Sequence, residues 1–554
     1  MRRRGLHSDG FAAPIVAGAA TSDEAGRRSA APAGSAAAVH EARYFGSAKL
    51  ISAITLASRI LGLGRDMLCA YVFGAGEVMA AFTIGFQVPN LFRRLFGEGA
   101  LSASSIPVLS DRLHHGGREA LDELSGKIMG VLLAVLVAVA VIGEAVTLGF
   151  GPMFVSTPRG VLTLGLTALM LPYVIPVCAS AILGGIQNIF GQFAVPASNP
   201  IVLNVFQIAA MVLAGRLYAR GDVRQAYLLG SSVVVSGFFQ LAWQWLNTRR
   251  CGLRLRLSLD TRDESLRLIA RTMIPMTLGL SVVQINALLD SFIAYWFVTS
   301  HEGGPAVLGY AQRLYQFPLG VFAIALATAL FPVMARQAAQ GDRTQLSRTL
   351  ARGLRQALFE GLPCTVGLIL IREPLTQALF ERGAFRAGDT FRVAATLATF
   401  AAGIWAFGVN QIVVRAFYAL KDQMTPLKIA AWMVAGNLAL NMILVFRLEE
   451  PGIGLATTIC AVVQDVLLLW AIAKRLPHLA WGEVLGSAAR TAIATALMAA
   501  GVLGTAYLLR DWSPYAHHSL IRLAVLTGSG AATFLLAAWV TRCRELREVL
   551  RRGT

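Results

Sequence analysis

The chain is 554 residues long, 56% apolar and only 14% charged, with a mean hydropathy of +0.60. Soluble globular chains are about 45–50% apolar and about 25% charged, so an ordinary cytosolic enzyme, a disordered chain and a secreted disulfide scaffold are excluded. The net charge of +18 comes from 44 Arg and 5 Lys against 31 acids, and it lies mostly between apolar runs, a pattern of loop retention at a membrane surface and not of nucleic-acid binding.

Residues 1–46 are rich in Ala, Gly, Ser and Arg and lack apolar periodicity, which predicts a disordered cytoplasmic tail and no signal peptide. Fourteen apolar runs follow, at about 48–72, 78–108, 127–151, 159–185, 194–215, 226–248, 268–298, 305–334, 353–372, 389–420, 426–446, 453–474, 487–509 and 519–541. Each is long enough to cross a hydrocarbon core of ~30 Å. The expected fold is therefore an all-α polytopic membrane protein of fourteen transmembrane helices. Counted with the adjoining span ends, the loops after even-numbered spans and the C-terminal tail hold 25 Lys/Arg, and the other loops hold 10. The positive-inside rule then puts both termini in the cytoplasm. The arginines at 216, 220 and 224, and those at 372, 382, 386 and 392, run against it.

The longest basic loop follows span 6 and divides the first twelve spans into two sets of six of like orientation, as parallel repeats would be. The expected domains are the 1–46 tail, a first six-helix lobe over 47–248, a basic cytoplasmic linker over 249–267, a second six-helix lobe over 268–474, two further helices within 475–541, and a basic tail over 542–554. The six cysteines are scattered without a CxxC pair, and the eight histidines lie in the tail or in loops, so neither a disulfide framework nor a zinc site is expected.

Seven arginines fall inside spans: Arg59, Arg65, Arg93, Arg94, Arg313, Arg415 and Arg522. A central arginine costs about 2.5–3.5 kcal/mol even on the lenient insertion scale, so such residues face a wet cavity, an acid or the interface. Asp66 lies one heptad from Arg59 and is placed to pair with it, and Glu98 lies four residues after Arg94. Arg93 and Arg313 have no acid nearby in sequence, and guanidinium groups without a local acid predict an anionic ligand. Phosphate suits them, because the planar fork donates two parallel hydrogen bonds and keeps its charge. Asp290 is a lone acid in span 7, open to a capping, proton-relay or ion-ligand role. There is no G-x-x-x-x-G-K-[ST], G-x-S-x-G or H-E-x-x-H motif. A passive or ion-coupled carrier remains, without catalytic chemistry.

Several stretches match a known family. They are Ser58 to Asp66 (SRILGLGRD), Pro89 to Ser102 (PNLFRRLFGEGALS) followed by Ile106-Pro107-Val108-Leu109, and Tyr310 to Leu314 (YAQRL) with Phe317 to Gly320 (FPLG). Phe380 to Phe385 (FERGAF) with Asp389-Thr390, and Arg415 to Ala419 (RAFYA) with Thr425-Pro426, complete the set. Together they resemble the MurJ (MviN) family of lipid II flippases, within the multidrug/oligosaccharidyl-lipid/polysaccharide exporter superfamily. The resemblance runs from about residue 45 to 475 and more loosely beyond. It implies two six-helix lobes around a cavity that opens alternately to each side, with two C-terminal helices forming a groove for the lipid tail.

The resemblance also implies that Arg59, Arg65, Arg93 and Arg313 bind the substrate diphosphate, with Asp66, Asn90 and Glu98 supporting or gating. It further suggests a sodium site of Asp290, Asn437, Asn441 and Thr457, although an aspartate is common in the family where Asn441 stands. Interhelical hydrogen bonding is the other role open to the two asparagines. Ala80, Gln312 and Gln316 stand where acids are common, which makes the expected cavity more positive. The implied activity is movement of undecaprenyl-diphosphate-linked disaccharide-pentapeptide, the peptidoglycan precursor, to the outer leaflet of the bacterial cytoplasmic (inner) membrane. Its partners would be lipid II, membrane lipids and cell-wall synthesis proteins, with sodium or the membrane potential as driving force and no further cofactor. A flippase for another polyprenyl-diphosphate oligosaccharide and a non-transporting cell-wall scaffold are the alternatives.

Overall fold

The computed structural model describes residues 33–97, 100–154, 157–219, 221–298, 302–476, 479–511 and 518–547. Every regular element among them is helical. In chain order these are α1 Ala33–Phe73, α2 Glu77–Phe92, α3 Ala100–Ala145, α4 Gly151–Phe154, α5 Pro158–Met170, α6 Val174–Ile189, α7 Ala194–Leu217, α8 Val223–Arg250 and α9 Glu264–Phe297. There follow α10 Gly304–Leu319, α11 Ala325–Ala339, α12 Arg343–Phe380, α13 Ala387–Ala401, α14 Ile404–Ala419, α15 Met424–Leu448, α16 Glu450–Ala473, α17 Trp481–Leu508 and α18 Ser519–Val540. The chain divides into two units, Met1–Leu50 and Ile51–Thr554. In the first, helix begins at Ala33, inside the segment expected to be disordered. Alanine is the best helix former and is frequent over 33–46, so the segment has helical propensity without apolar periodicity.

Each of the fourteen apolar runs falls on helical segments, the second interrupted at residues 98–99, which lie outside the described residues. Among the described residues, ten helices are long and apolar enough to cross a membrane, or up to eleven when α13 and α14, bent by 41°, form one span. The count of fourteen crossings thus rests on the sequence pattern. Arg59, Arg65 and Asp66 interrupt the apolar run of α1, which is not among the ten. Spans 2 and 3 share the long helix α3 and are separated within it at Gly117, whose φ of 70° ends one helix and starts the next.

Helix starts follow the local chemistry. Thr157 precedes Pro158 and accepts from the Gly160 amide at 3.2 Å. Asp222, Asp263 and Asp342 cap α8, α9 and α12 in the same way, each satisfying an amide that the first turn leaves unpaired. The basic linker is tied down: Lys127 of α3 forms ion pairs with Glu123 at 2.7 Å and Asp263 at 3.1 Å, and Ser258 N donates to Gly126 O. Arginines that run against the charge rule are held as well. Arg392 pairs with Glu450 and donates to Glu302 O, Arg382 donates to Ala378 O, and Arg372 to Ile369 O.

The packing is inverted relative to a soluble protein. Trp432 is 74% exposed, while Gln187, Gln225, Gln244 and Asn441 are fully buried. Lipid is the solvent such a surface suits, and buried polar groups then find partners inside the bundle. Gln187 on α6 donates to Gln244 O and Thr248 Oγ1 of α8 and accepts from Asn247. Apolar packing is divided as well. One cluster draws on residues from Cys69 to Ile269 and another on residues from Leu326 to Val484. A third joins Ala70, Ala75 and Ala80 to Ile293, Tyr310, Phe380, Phe400 and Val445.

Candidate functional site

Helix α1 supplies Arg59, Arg65 and Asp66. Arg65 folds back on its neighbour, with Nη2 and Nε at 2.7 and 3.0 Å from Asp66 Oδ1, while Nη1 donates to Gln207 Oε1 of α7 at 3.0 Å. The other carboxylate oxygen, Oδ2, accepts from Arg313 Nε of α10 at 2.9 Å. One buried acid therefore bridges two arginines from helices nearly 250 residues apart. Arg65 and Asp66 are buried, whereas the Arg313 side chain is 49% exposed.

This arrangement corrects two expectations. Asp66 does not pair with Arg59, because both of its oxygens are engaged by Arg65 and Arg313. Nor is Arg313 without an acid: its partner comes from another helix, which spacing along one helix cannot reveal. Arg59 is exposed, and its guanidinium lies against Gly320, where a Cβ would stand 3.0 Å from Nη2. Gly320 opens a π-helical turn, Gly320–Ile324, directly after α10.

Arg93 opens a second π turn, Arg93–Gly97, placed after Pro89 has removed a backbone donor from α2. Its Nε donates to Asn90 Oδ1 at 2.9 Å. Arg94 donates to Gln284 of α9 at 2.9 Å, and Gln87 to Ala287 O at 3.1 Å, so this stretch is braced on α9. Glu98, expected beside Arg94, lies outside the described residues. The structure thus brings Arg65, Asp66 and Arg313 together, sets Arg59 on the α10 side, and pairs Arg93 with Asn90.

At its Phe73 end, α1 meets residues of α10 and of the loop after α12. Tyr310 Oη donates to Gly74 O at 3.2 Å, and Ala384 N to Tyr71 O at 2.9 Å. Gly303 (φ +92°) and Gly383 (φ +65°) allow this closeness: a Cβ would come within 1.7 Å of Ala75 O and 2.4 Å of Tyr71 O respectively. Tyr310, Phe380 and Phe385 form an aromatic trio behind them, with ring centroids 5.0–5.8 Å apart. The FERGAF and YAQRL stretches therefore build a closed seam around the arginine bridge.

Asp290, Asn437 and Asn441 are all buried. Asn441 Nδ2 donates to Asp290 Oδ1 at 2.7 Å and to Asn437 Oδ1 at 2.8 Å, and Asn437 Nδ2 lies 3.3 Å from Thr457 Oγ1. Turning the Asn437 amide over would have it donate to Asp290 Oδ1 at 3.0 Å and to Asn286 Oδ1 at 3.1 Å instead. Both asparagines thus make interhelical hydrogen bonds, joining α15 to α9 and α16. Asn441 Oδ1 is buried with no hydrogen-bond partner. Asp290, Asn437, Asn441 and Thr457 carry oxygens of the type a hard cation takes, but here the Asp290 and Asn437 oxygens face the Asn441 amide nitrogen.

Sequence reasoning passed over Gln207 and Asn286, and named Tyr310 and Gly320 only as members of family stretches, without a role. Gln207 was visible in principle, since Asn204 and Gln207 stand three apart inside an otherwise apolar run. Gly320 and Tyr310 carry no signal of their own, because their role is set by the helix facing them.

Comparison with known proteins shows the family of the chain. The family model described as lipid II flippase MurJ matches residues 69–524. A probable lipid II flippase MurJ of Rhizobium tropici is 32% identical over 84% of this chain and 87% of its own length. One of Vibrio cholerae serotype O1 is 30% identical over 89% and 95%. Among solved structures, one described as lipid II flippase MurJ in an inward closed conformation superimposes with a TM-score of 0.72 at 23% identity, covering 89% of this chain and 98% of that one. An inward-facing multidrug resistance MATE transporter superimposes with 0.63 at 18% identity, covering 78% and 98%, a likeness of fold.

Proposed function

The chain belongs to the MurJ family of lipid II flippases, and from that premise we propose that it carries lipid II from the inner to the outer leaflet of the bacterial cytoplasmic membrane by alternating access. The observation that carries the site assignment is the Asp66 bridge. Two guanidiniums and one carboxylate leave a net positive charge where helices from the two halves of the chain meet. A diphosphate offers more charge and more acceptor oxygens than a carboxylate, so it competes with Asp66 for the forks of Arg65 and Arg313. Substrate binding would thereby loosen a link between the halves, which couples occupancy to opening. Arg93, held by Asn90 at a π turn, and Arg59, beside Gly320, add charge along the path.

The lobes over 47–248 and 268–474 would rock about this site, with both termini cytoplasmic and the undecaprenyl tail in a groove made by the helices within 475–541. An anion moving outward across an inside-negative potential gains about 2.3 kcal/mol per charge per 100 mV, so the potential drives transport without ATP. The oxygen donors of Asp290, Asn437, Asn441 and Thr457 would hold a sodium ion that favours one of the two orientations. The test is lipid II translocation in proteoliposomes, comparing wild type with Arg65→Ala and Arg93→Ala with the potential set or collapsed. Translocation that needs the arginines and quickens with the potential supports the reading. Arginine-independent translocation overturns the site, and no translocation of lipid II by wild type overturns the substrate.

A further inference from the structure

Where α17 starts and α18 ends, four arginines line a single cavity of about 290 Å³: Arg490 from α17, and Arg542, Arg544 and Arg547 from the segment after α18. Among the described residues, no acid lines the cavity. Glu545 belongs to the same segment but is buried and lies 3.5 Å from Arg355 Nε of α12, which also pairs with Glu483 at 2.8 Å. Glu483 and Glu545 are thus directed toward Arg355, and among the described residues the cavity lining is arginine alone.

Two further features point to an absent acceptor. Arg490 Nε is buried without a hydrogen-bond partner, an unfavourable condition unless a ligand accepts from it. Arg542 has φ +54°, just past the end of α18, a position where glycine is the usual residue and a side chain is strained. Strain of this kind persists where the side chain is needed.

The surroundings identify the class of ligand. Trp481 opens α17 and Trp539 nearly closes α18, both exposed, as tryptophans at headgroup depth are. Leu485, Leu536 and Val540 are exposed on the same helices, an apolar surface for acyl chains. A soluble anion would make no use of that surface. We propose that this cavity binds the phosphate headgroup of an anionic phospholipid of the surrounding bilayer, at a place separate from the arginines bridged by Asp66. The arginine forks bind the phosphate oxygens, Arg490 extends its apolar stem along the helix toward the interface, and the bound headgroup ties the end of α18 to the start of α17.

The test uses the purified full chain, stripped of lipid and re-equilibrated with vesicles of phosphatidylglycerol or phosphatidylcholine, with retained lipid counted by native mass spectrometry. Wild type is expected to retain phosphatidylglycerol about tenfold more strongly than phosphatidylcholine, and the Arg490→Gln/Arg544→Gln double variant to lose that preference. Arg542→Gly is the control for folding: glycine adopts φ +54° freely, so the melting temperature should hold or rise while retention falls. Unchanged retention in both variants, or equal retention of the two lipids, overturns the proposal. Complete displacement by millimolar inorganic phosphate overturns it as well, by showing a soluble anion site.

Discussion

Asp66 and Asp290 are two buried acids neutralised by different chemistry. Asp66 is held by two guanidiniums on different helices, Arg65 and Arg313. Asp290 is held by amides, chiefly Asn441, with Asn286 at 3.5 Å. An acid held between cations can be replaced by another anion, because the cations need a counter-charge and not that particular carboxylate. An acid held by neutral amides has no counter-charge, so it takes a proton or attracts a cation. The first arrangement suits the substrate binding proposed above, and the second would suit a coupling ion.

The comparison is broken most sharply at the arginines. Arg65→Ala or Arg313→Ala should abolish lipid II translocation, a loss of at least about a hundredfold, while the protein still reaches the membrane. Translocation at wild-type rate in either variant would remove Asp66 and its partners from the mechanism. Asp66→Asn should then destabilise the fold by about 3 kcal/mol, since it leaves two buried or half-buried guanidiniums without a counter-charge. Thermal unfolding in detergent reads this, and added diphosphate should recover part of the loss if the arginines accept it.

Asp290→Asn addresses the other acid. It removes the charge but keeps the hydrogen-bonding shape, so sodium dependence of transport should vanish with a loss of stability of only about 1 kcal/mol. Sodium dependence that survives would return Asp290, Asn437 and Asn441 to a purely interhelical role.

The smallest effect is expected at an acid–arginine pair near water, Asp422 with Arg475 in the loops after α14 and α16. Burial pushes the Asp422 carboxyl up, but hydrogen bonds from Thr425 and Arg475 outweigh it and hold the pKa at about 2, below the ordinary 3.8. A depressed folded-state pKa contributes stability that is complete above the unfolded value and lost as pH falls toward about 2. With Arg475 40% exposed, solvent screening limits the contribution to about 1 kcal/mol. Asp422→Asn should therefore lower stability by about 1 kcal/mol at neutral pH and flatten the stability–pH curve between about pH 4 and pH 2. An effect as large as that of Asp66→Asn would erase the distinction between a bridge inside the bundle and a pair beside water.

Which charged residues needed a partner was largely legible in the sequence; which residues meet was not. Arg93 and Arg313 stood out because a charge inside an apolar run demands an explanation. The partner of Arg313 is not legible in the sequence, because helical spacing reports neighbours on one helix and Asp66 sits on another. Asp66 was set against Arg59 for the same reason, and only the approach of α10 to α1 shows Arg59 against Gly320 instead. Glycines 303 and 383 carry a signal in composition but not in purpose, since the backbone atoms they admit belong to α1 and its following turn. The arginines at 490, 542, 544 and 547 read as a scattered basic surplus until the ends of α17 and α18 bring them around one cavity.

By itself the sequence determined the solvent of this protein, its helical class, its lack of recognisable catalytic motifs and the family it resembles. These follow from apolar run length, charge placement and short motifs, all of which are local along the chain. The tertiary structure alone decided which charges neutralise one another, because ion pairing depends on distances of 3–4 Å between helices far apart in sequence. Hydropathy has no term for such distances, and the proposed mechanism rests on them.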